Sequence, residues 1–359
     1  MARFEDVFSD ETKRGHKIQT SEYLPLGKYP IIDQGQAQIA GYTDLEDGLF
    51  TDVPAIIFGD HTRIIKYVDY PFFLGADGVK VLKTKLDGAD YKYLFYCLQN
   101  AKIPNTGYNR HFKWLKEIDI PLPPLEEQRR IADILDKVSD LIAKRRAQLD
   151  KLDLLVKARF VEMFGGNRPT ERLECFSTLI TKGASPKWQG IDYEEDGTLF
   201  ITSENVQAGY IDFEKRKYLN NRINKIQPRS ILQRNDILIN IVGASIGRAA
   251  IFESDELANI NQAVALVRID SKKLNLKFLI TFLNSSQALE LYSAMKKGGA
   301  RDNLSLKNIA DLPIPIVPIT SQKQFADYIF QTDEAKLRIH RSLGKLEVLK
   351  KVLMQQYFG

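Results

Sequence analysis

The sequence predicts a mixed α/β (α+β) chain: two globules separated by a long antiparallel two-helix coiled coil, built as an internal repeat with a pseudo-two-fold axis. Three observations predict it. The second half of the chain repeats the first, at offsets that rise from 168 to 194 and are constant along the helices. Each copy closes on an unbroken helical period of nearly 40 residues. The segments before each helix are short apolar runs broken by Gly, Asp and Asn.

The repeat fixes the order of parts. From Pro124 and Pro318 onward the offset is a constant 194, pairing Gln128 with Gln322, Leu149 with Leu343, Leu152 with Leu346, Leu155 with Leu349, and Phe164-Gly165 with Phe358-Gly359. Upstream, Val7-Phe8-Ser9 matches Cys175-Phe176-Ser177, and Arg14-Gly15 matches Lys182-Gly183, both at 168. Asp52 and Gly59 match Asp236 and Gly243 at 184; Tyr93-Leu94 and Leu98 match Phe278-Leu279 and Leu283 at 185. Arg110, Leu115 and Ile118 match Arg301, Leu306 and Ile309 at 191. The parts are therefore a globule over 1–117, a helical region over 118–165, a second globule over 166–311 and a second helical region over 312–359.

Within the globules, Ala55 to Phe58, Val79 to Leu82, Ile237 to Val242 and Ala263 to Ile269 read as strands, being short and bounded by turn residues. Tyr91 to Gln99 and Leu276 to Leu283 read as short helices. A curved sheet, or a partial barrel, is expected in each. In the first long helix one apolar row runs Ile131, Leu135, Val138, Ile142, Leu149, Leu152, Val156, Met163, interrupted by Arg145 and Arg159; a second runs Ile134, Leu141, Leu155. Steps of four and three are a heptad seam. Phe325, Ile329, Ile339, Leu343, Leu346, Leu353 and Tyr357 occupy the equivalent row of the second helix. At 1.5 Å per residue, roughly 38 residues span about 55–60 Å, longer than a small domain is wide, which argues against a helix lying on its own globule. Pro121, Pro123 and Pro124, and Pro315 and Pro318, give each helix a stiff lead-in. Ser321 with Gln324 has capping-box spacing, and Gly165 and Gly359 stand where cap glycines belong. Connectivity makes the helices antiparallel: the second leaves a globule that begins at the far end of the first, so the C-terminus returns to the first globule.

The 359 residues carry a net charge of +5, 44% hydrophobic and 27% charged residues, with a mean hydropathy of −0.27. That composition suits two or three folded domains. No apolar run reaches the roughly 18 residues of a membrane span, and the N-terminal acids do not suit a signal peptide. Cys97 and Cys175 read as buried thiols, and the compartment as the reducing cytoplasm. The mild positive charge is compatible with nucleic acid without establishing it.

IPLPPLEEQRRIADIL (120–135) and its fainter copy LPIPIVPITSQKQFADYI (312–329), with YPIIDQGQAQIAGYTD (29–44) and LFITSENVQAGYID (199–212), resemble the specificity subunit of type I restriction–modification systems over nearly the whole chain. The second copy departs from the pattern, with Thr320-Ser321 where Glu126-Glu127 stand in the first. The resemblance implies a non-catalytic subunit. Each globule would read half of a split target in the major groove of double-stranded DNA, and the helices would fix the spacing and dock two methyltransferase subunits. Restriction and motor subunits would join through those. S-adenosylmethionine, ATP and Mg are expected on the partners, with no cofactor and no metal on this chain, and no membrane contact.

The residues agree that catalysis lies elsewhere. There is no Asn-Pro-Pro-aromatic sequence for holding a flipped base. Gly243 to Arg248 lacks the spacing and the Lys-Ser/Thr of a phosphate loop and reads as a tight turn. The four histidines, His16, His61, His111 and His340, are not at metal-ligand spacing.

Phosphate contacts need cations or backbone N–H groups, whereas base reading needs polar side chains at groove edges. Cations kept in both halves, Arg14 with Lys182 and Arg110 with Arg301, are expected on phosphate. Residues that differ at matched loops are expected on bases: His61, with Arg63 beside it, against Ser245, with Arg248 beside it. The stretch 213–235 holds Lys215, Arg216, Lys217, Arg222, Lys225, Arg229 and Arg234 against Glu214 alone, and reads as a DNA-facing arm. Lys187-Trp188 either wedges or stacks against DNA, or places a tryptophan in the core. Glu126 to Glu162 of the first helix holds nine bases and eight acids, nearly balanced, as suits a protein-docking rod. Partner contact is expected at Arg145, Arg146, Phe160, Phe164, Tyr357 and Phe358. Two rival readings stand beside this one: an adaptor that binds only proteins, and an enzyme whose site spans both globules.

Overall fold

Each proline lead-in ends at a helix N-terminus, and there one buried glutamine organises the surrounding chain. In the computed structural model, which describes residues 1–75, 78–295 and 302–359, the long helices are Leu125–Phe164 and Ile319–Phe358, 40 residues each. Pro124 and Pro318 accept the first intrahelical bonds, from Gln128 N–H (3.0 Å) and Gln322 N–H (3.1 Å). Ser321 thus lies inside the helix rather than at its cap. The two glutamine side chains repeat one arrangement. Nε2 donates to the carbonyl of Pro123 (2.8 Å) or Val317 (2.8 Å). Oε1 accepts from the backbone N–H of Asp90 (3.2 Å) or Asn275 (2.8 Å). Asp90 and Asn275 are themselves the N-caps of the short helices Tyr91–Gln99 and Leu276–Leu283.

The chain divides into two units, Met1–Ala147 with His340–Gly359, and Gln148–Ile339. In the first, a four-stranded antiparallel sheet runs in the order Phe8–Asp10, Val79–Thr84, Ala55–Gly59, Ile65–Val68. A three-stranded sheet (Gly41–Thr43, Tyr29–Ile32, Phe73–Leu74) has one parallel pairing, Ile31 opposite Phe73. The second unit repeats this. Its antiparallel sheet is Ser177–Lys182, Val264–Ile269, Ile237–Asn240, Ala249–Ile251. Its other sheet is Tyr193–Glu194, Tyr218–Leu219, Thr198–Ile201, Ala258–Ile260, the last two parallel. The expected curved sheet is thus two sheets. The central strands read as continuous apolar runs because both faces are covered: Ile57 faces a core between the sheets, while Ile56 and Phe58 face a core under the helices. A two-stranded ribbon closes each globule before its long helix, Ala2–Arg3 with Asp119–Ile120 and Thr170–Arg172 with Pro313–Pro315.

Inside each unit the two long helices run antiparallel. In the first, Met354 shares a core with Ile131 and Leu135, and Arg146 pairs with Glu347 (2.7 Å). In the second, Phe160 and Phe164 pack on Phe325 with centroids 5.4 and 5.3 Å apart, and Asp153 pairs with Lys336 (2.5 Å). These are repeat-related positions: Met354 matches Phe160, and Glu347 matches Asp153. The returning end of one helix closes the globule that precedes the other. Phe358 lies 5.3 Å from Tyr93, and its carbonyl accepts from Asn100 (3.1 Å). Phe164 lies 4.9 Å from Phe278.

Four expectations are corrected. Phe160 and Phe164 are buried, 7% and 3% exposed, because they complete the second globule's core. They are not an outward docking surface, and Tyr357 and Phe358 are half-buried for the same reason. Leu141 and Leu155, expected in a second buried row, are exposed. Cys175 is exposed; Cys97 is buried, and burial pushes its thiol up to about 12. The left-handed residue after the first helix is Gly166 (φ 90°), one beyond Gly165.

A second matched interaction pins the antiparallel sheets. Lys83 Nζ pairs with Asp52 (2.8 Å). At the equivalent place Arg268 grips Asp236 with two bonds, both 2.7 Å. Asp236 is 1% exposed, Asp52 40%.

Two outcomes follow. Replacing Gln128 or Gln322 by Leu leaves an N–H and a carbonyl unpaired, and should lower stability by about 1–3 kcal/mol in urea unfolding. Exposed Glu126→Ala should change it by less than about 0.5 kcal/mol. Asp236→Ala strands a partly buried guanidinium and should cost roughly 2–4 kcal/mol, while Asp52→Asn, at a solvated pair, should cost about 1 kcal/mol or less. The bond to Lys83 holds the Asp52 carboxyl below its ordinary value, outweighing the opposing effect of burial, with Arg14 adding to it. Its contribution is therefore full above the unfolded pKa of about 4 and lost as pH falls through the lower folded value. Wild type and Asp52→Asn should converge at acid pH.

Candidate nucleic-acid interface

Two of the matched cations, Arg14 and Lys182, each stand directly before a glycine at which the chain turns away. A Cβ at Gly183 would stand 1.7 Å from the Ile260 carbonyl, and one at Gly15 would stand 2.1 Å from a Leu74 methyl. Only glycine lets these loops lie so close to the neighbouring strand. Lys182 ends its strand exposed, with no ion pair among the described residues. Arg14 is exposed too, but already pairs with Asp52 (2.8 Å). Arg110 is exposed and has no ion pair among the described residues, on the segment before Phe112–Leu115. Its repeat mate Arg301 lies outside the described residues.

The arm over 213–235 is less positive in space than in sequence. Arg216 pairs with Glu256 (2.9 Å), Lys217 with Glu204 (2.9 Å) and Arg234 with Asp255 (2.8 Å). All three acids lie outside the stretch, so counting charges along it misses them. Lys215, Arg222, Lys225 and Arg229 remain exposed, without ion pairs among the described residues. Arg229 lines an open groove of about 570 Å³ with Lys307 and Thr178. Lys187 and Trp188 form a turn with Trp188 83% exposed, so the core alternative for this tryptophan is gone. Gly243–Ser245 is the expected tight turn; Ser245 is half-buried there, and Arg248 is exposed with its guanidinium on Gln207 (2.8 Å).

His61 stands at the tip between Ala55–Gly59 and Ile65–Val68. Its backbone N–H donates to Gln34 Oε1 (3.2 Å), and its Nδ1 lies 3.2 Å from the Asn109 carbonyl. Tyr108 covers its ring at 4.5 Å, with 8° between planes. Beneath, buried Asp60 ties the tip to the segment carrying Tyr108: its Oδ1 accepts from Phe112 N–H (2.8 Å) and its carbonyl from His111 N–H (2.8 Å). Arg63 adopts a left-handed backbone (φ 63°) and donates to the Ile103 carbonyl (3.3 Å). It holds the two loops together rather than reaching outward. Tyr108 was missed in the sequence, although it lies two residues before a matched arginine.

On the helices, Arg146 is taken by Glu347 and Arg145 is half-buried. The exposed apolar residues that repeat are Leu154 and Leu155 in one unit, matching Val348 and Leu349 in the other, 62, 51, 62 and 44% exposed. No described helix is long and apolar enough to cross a membrane. Among the described residues no three His, Cys, Asp or Glu side chains come together as a metal site.

The family described as the type I restriction modification DNA specificity domain matches residues 1–152 and 191–351. The EcoR124I/EcoR124II type I restriction enzyme specificity subunit of Escherichia coli is 23% identical over 385 residues, covering 98% of this chain and 91% of that one. The MjaVIII specificity subunit of Methanocaldococcus jannaschii is 24% identical, covering 79% and 74%. The fold is shared with the S subunit of a type I restriction–modification system from M. genitalium (TM-score 0.60, 17% identity, 99% of this chain and 95% of that one). With most of each half of the repeat inside the match, the chain belongs to the family of type I restriction–modification DNA specificity subunits.

Proposed function

We propose that this chain reads a bipartite DNA target, one half per globule, and leaves methylation and cleavage to partner subunits that carry S-adenosylmethionine, ATP and Mg. The observation that carries this reading is the duplication itself. The same two-sheet globule occurs twice, each closed by the same helix pair, while the loops at matched tips differ, His61 in one and Ser245 in the other. Matched scaffolds suit a backbone common to both halves of a site; unmatched tips suit different bases. The adaptor reading draws support from the three arm cations already neutralised by acids.

Salt separates the two. Binding of the assembled complex to random duplex DNA should weaken steeply as salt rises. Lys182→Ala and Arg110→Ala should each lower the slope by about one, and Arg14→Ala by less, since Asp52 is already its counterion. Affinity indifferent to salt would favour the adaptor.

Docking of two methyltransferase subunits is proposed at the repeated apolar pairs, Leu154-Leu155 and Val348-Leu349, which each unit presents to solvent. Light scattering of the reconstituted complex should give two partners per chain for wild type, one for Leu155→Glu, and none for Leu155→Glu with Leu349→Glu. Retention of both partners by the double variant would move the docking surface elsewhere. Reversing Arg146 would test the helix pair instead, because it would break the bond to Glu347.

A further inference from the structure

The seat built around His61 has more parts than a surface histidine needs. Gln34 fixes its backbone, the Asn109 carbonyl fixes Nδ1, and the Tyr108 ring fixes the plane. A fourth part is a space: Gly78 has φ 92°, and a Cβ there would stand 2.8 Å from His61 Cδ2. A carbonyl only accepts, so the bond to Asn109 places the proton of the neutral imidazole on Nδ1. Nε2 is then an acceptor. Among the described residues it has no hydrogen-bond partner, and His61 itself is partly exposed. Tyr108, 85% exposed, contributes its inner face to the imidazole and little to any core. An oriented acceptor on a loop tip, held from four sides with one atom left open, is the form of a reading group rather than of a packing group.

We propose that His61 Nε2 accepts a hydrogen bond from the exocyclic amino group of one adenine or cytosine in the half-target read by the first globule, with Tyr108 as the positioning residue. In the major groove only the adenine N6 and cytosine N4 amino groups donate, while guanine and thymine present acceptors. A fixed acceptor therefore selects adenine or cytosine on one strand. Ser245, at the matched tip, has a rotatable hydroxyl that both donates and accepts, so it imposes no such choice. The inference rests on the DNA-reading function proposed above.

The test uses the full complex with its methyltransferase partners and maps methylated adenines across genomic DNA. Wild type should show a position restricted to adenine or cytosine in one half of its motif. His61→Ala should relax that position by roughly three- to tenfold, the worth of one hydrogen bond, leaving the other half and the salt slope on random DNA unchanged. Tyr108→Ala should relax the same position, and Tyr108→Phe, which keeps the stacked ring, should restore it. Both variants replace side chains outside the core, and unchanged urea unfolding confirms their fold. If the two alanine variants keep every motif position, or weaken binding to all sequences alike with a shallower slope, His61 reads no base. A wild-type complex with no motif and no salt-dependent binding would overturn the DNA-reading function itself, and this inference with it.

Discussion

The carboxamides of Gln128 and Gln322 sit where a proline lead-in, a long helix and a globule's short helix converge, and each settles how the three are joined. Oε1 takes the N–H of a helix N-cap and Nε2 takes the carbonyl just before the long helix. Buried backbone groups need partners, and proline has no N–H to offer. A side chain with one acceptor and one donor end satisfies both strands of chain at once. Once this junction is made, Tyr93 or Phe278 faces the long helices, and the core under the helices fills around it.

The returning helix end completes that core, so repeated residues divide into two kinds. Gln128 and Gln322, Phe164 and Phe358, and the Asp52–Lys83 and Asp236–Arg268 pairs recur because both globules need the same fold. The side chains of Lys182 and Arg110 have no ion-pair partner among the described residues, and nothing in the described fold requires their charge. Recurrence alone does not separate the kinds; the presence or absence of an internal partner does.

Much of the architecture was legible because the repeat leaves a constant offset along the helices, where insertions would break the heptads. The short helices, the antiparallel course and the return of the C-terminus follow from period and connectivity. Burial was less legible. Phe160 and Phe164 lie near a helix end, which suggested exposure, but the residues that cover them, Phe278 and Phe325, are more than 110 positions away. The arm over 213–235 looked strongly basic because its acids, Glu204, Asp255 and Glu256, arrive from outside it. The support of His61 was illegible for a similar reason. Gln34, Gly78 and Asn109 meet it through sheet pairing and loop closure, and no periodicity announces them.

The closure of the first globule by Phe358 has a consequence for synthesis. Chains ordinarily fold from the N-terminus as they emerge. Here the second unit is one continuous stretch, Gln148–Ile339, and has all its parts once that stretch is made. The first globule, though synthesised earlier, lacks Met354 and Phe358 until the second unit has been made, leaving the helix-facing side of Tyr93, Ile131 and Leu135 uncovered. Of the two globules, the one made first is the last to be completed. A chain stopped before Met354 would carry its defect not at the point of interruption but in the globule made first.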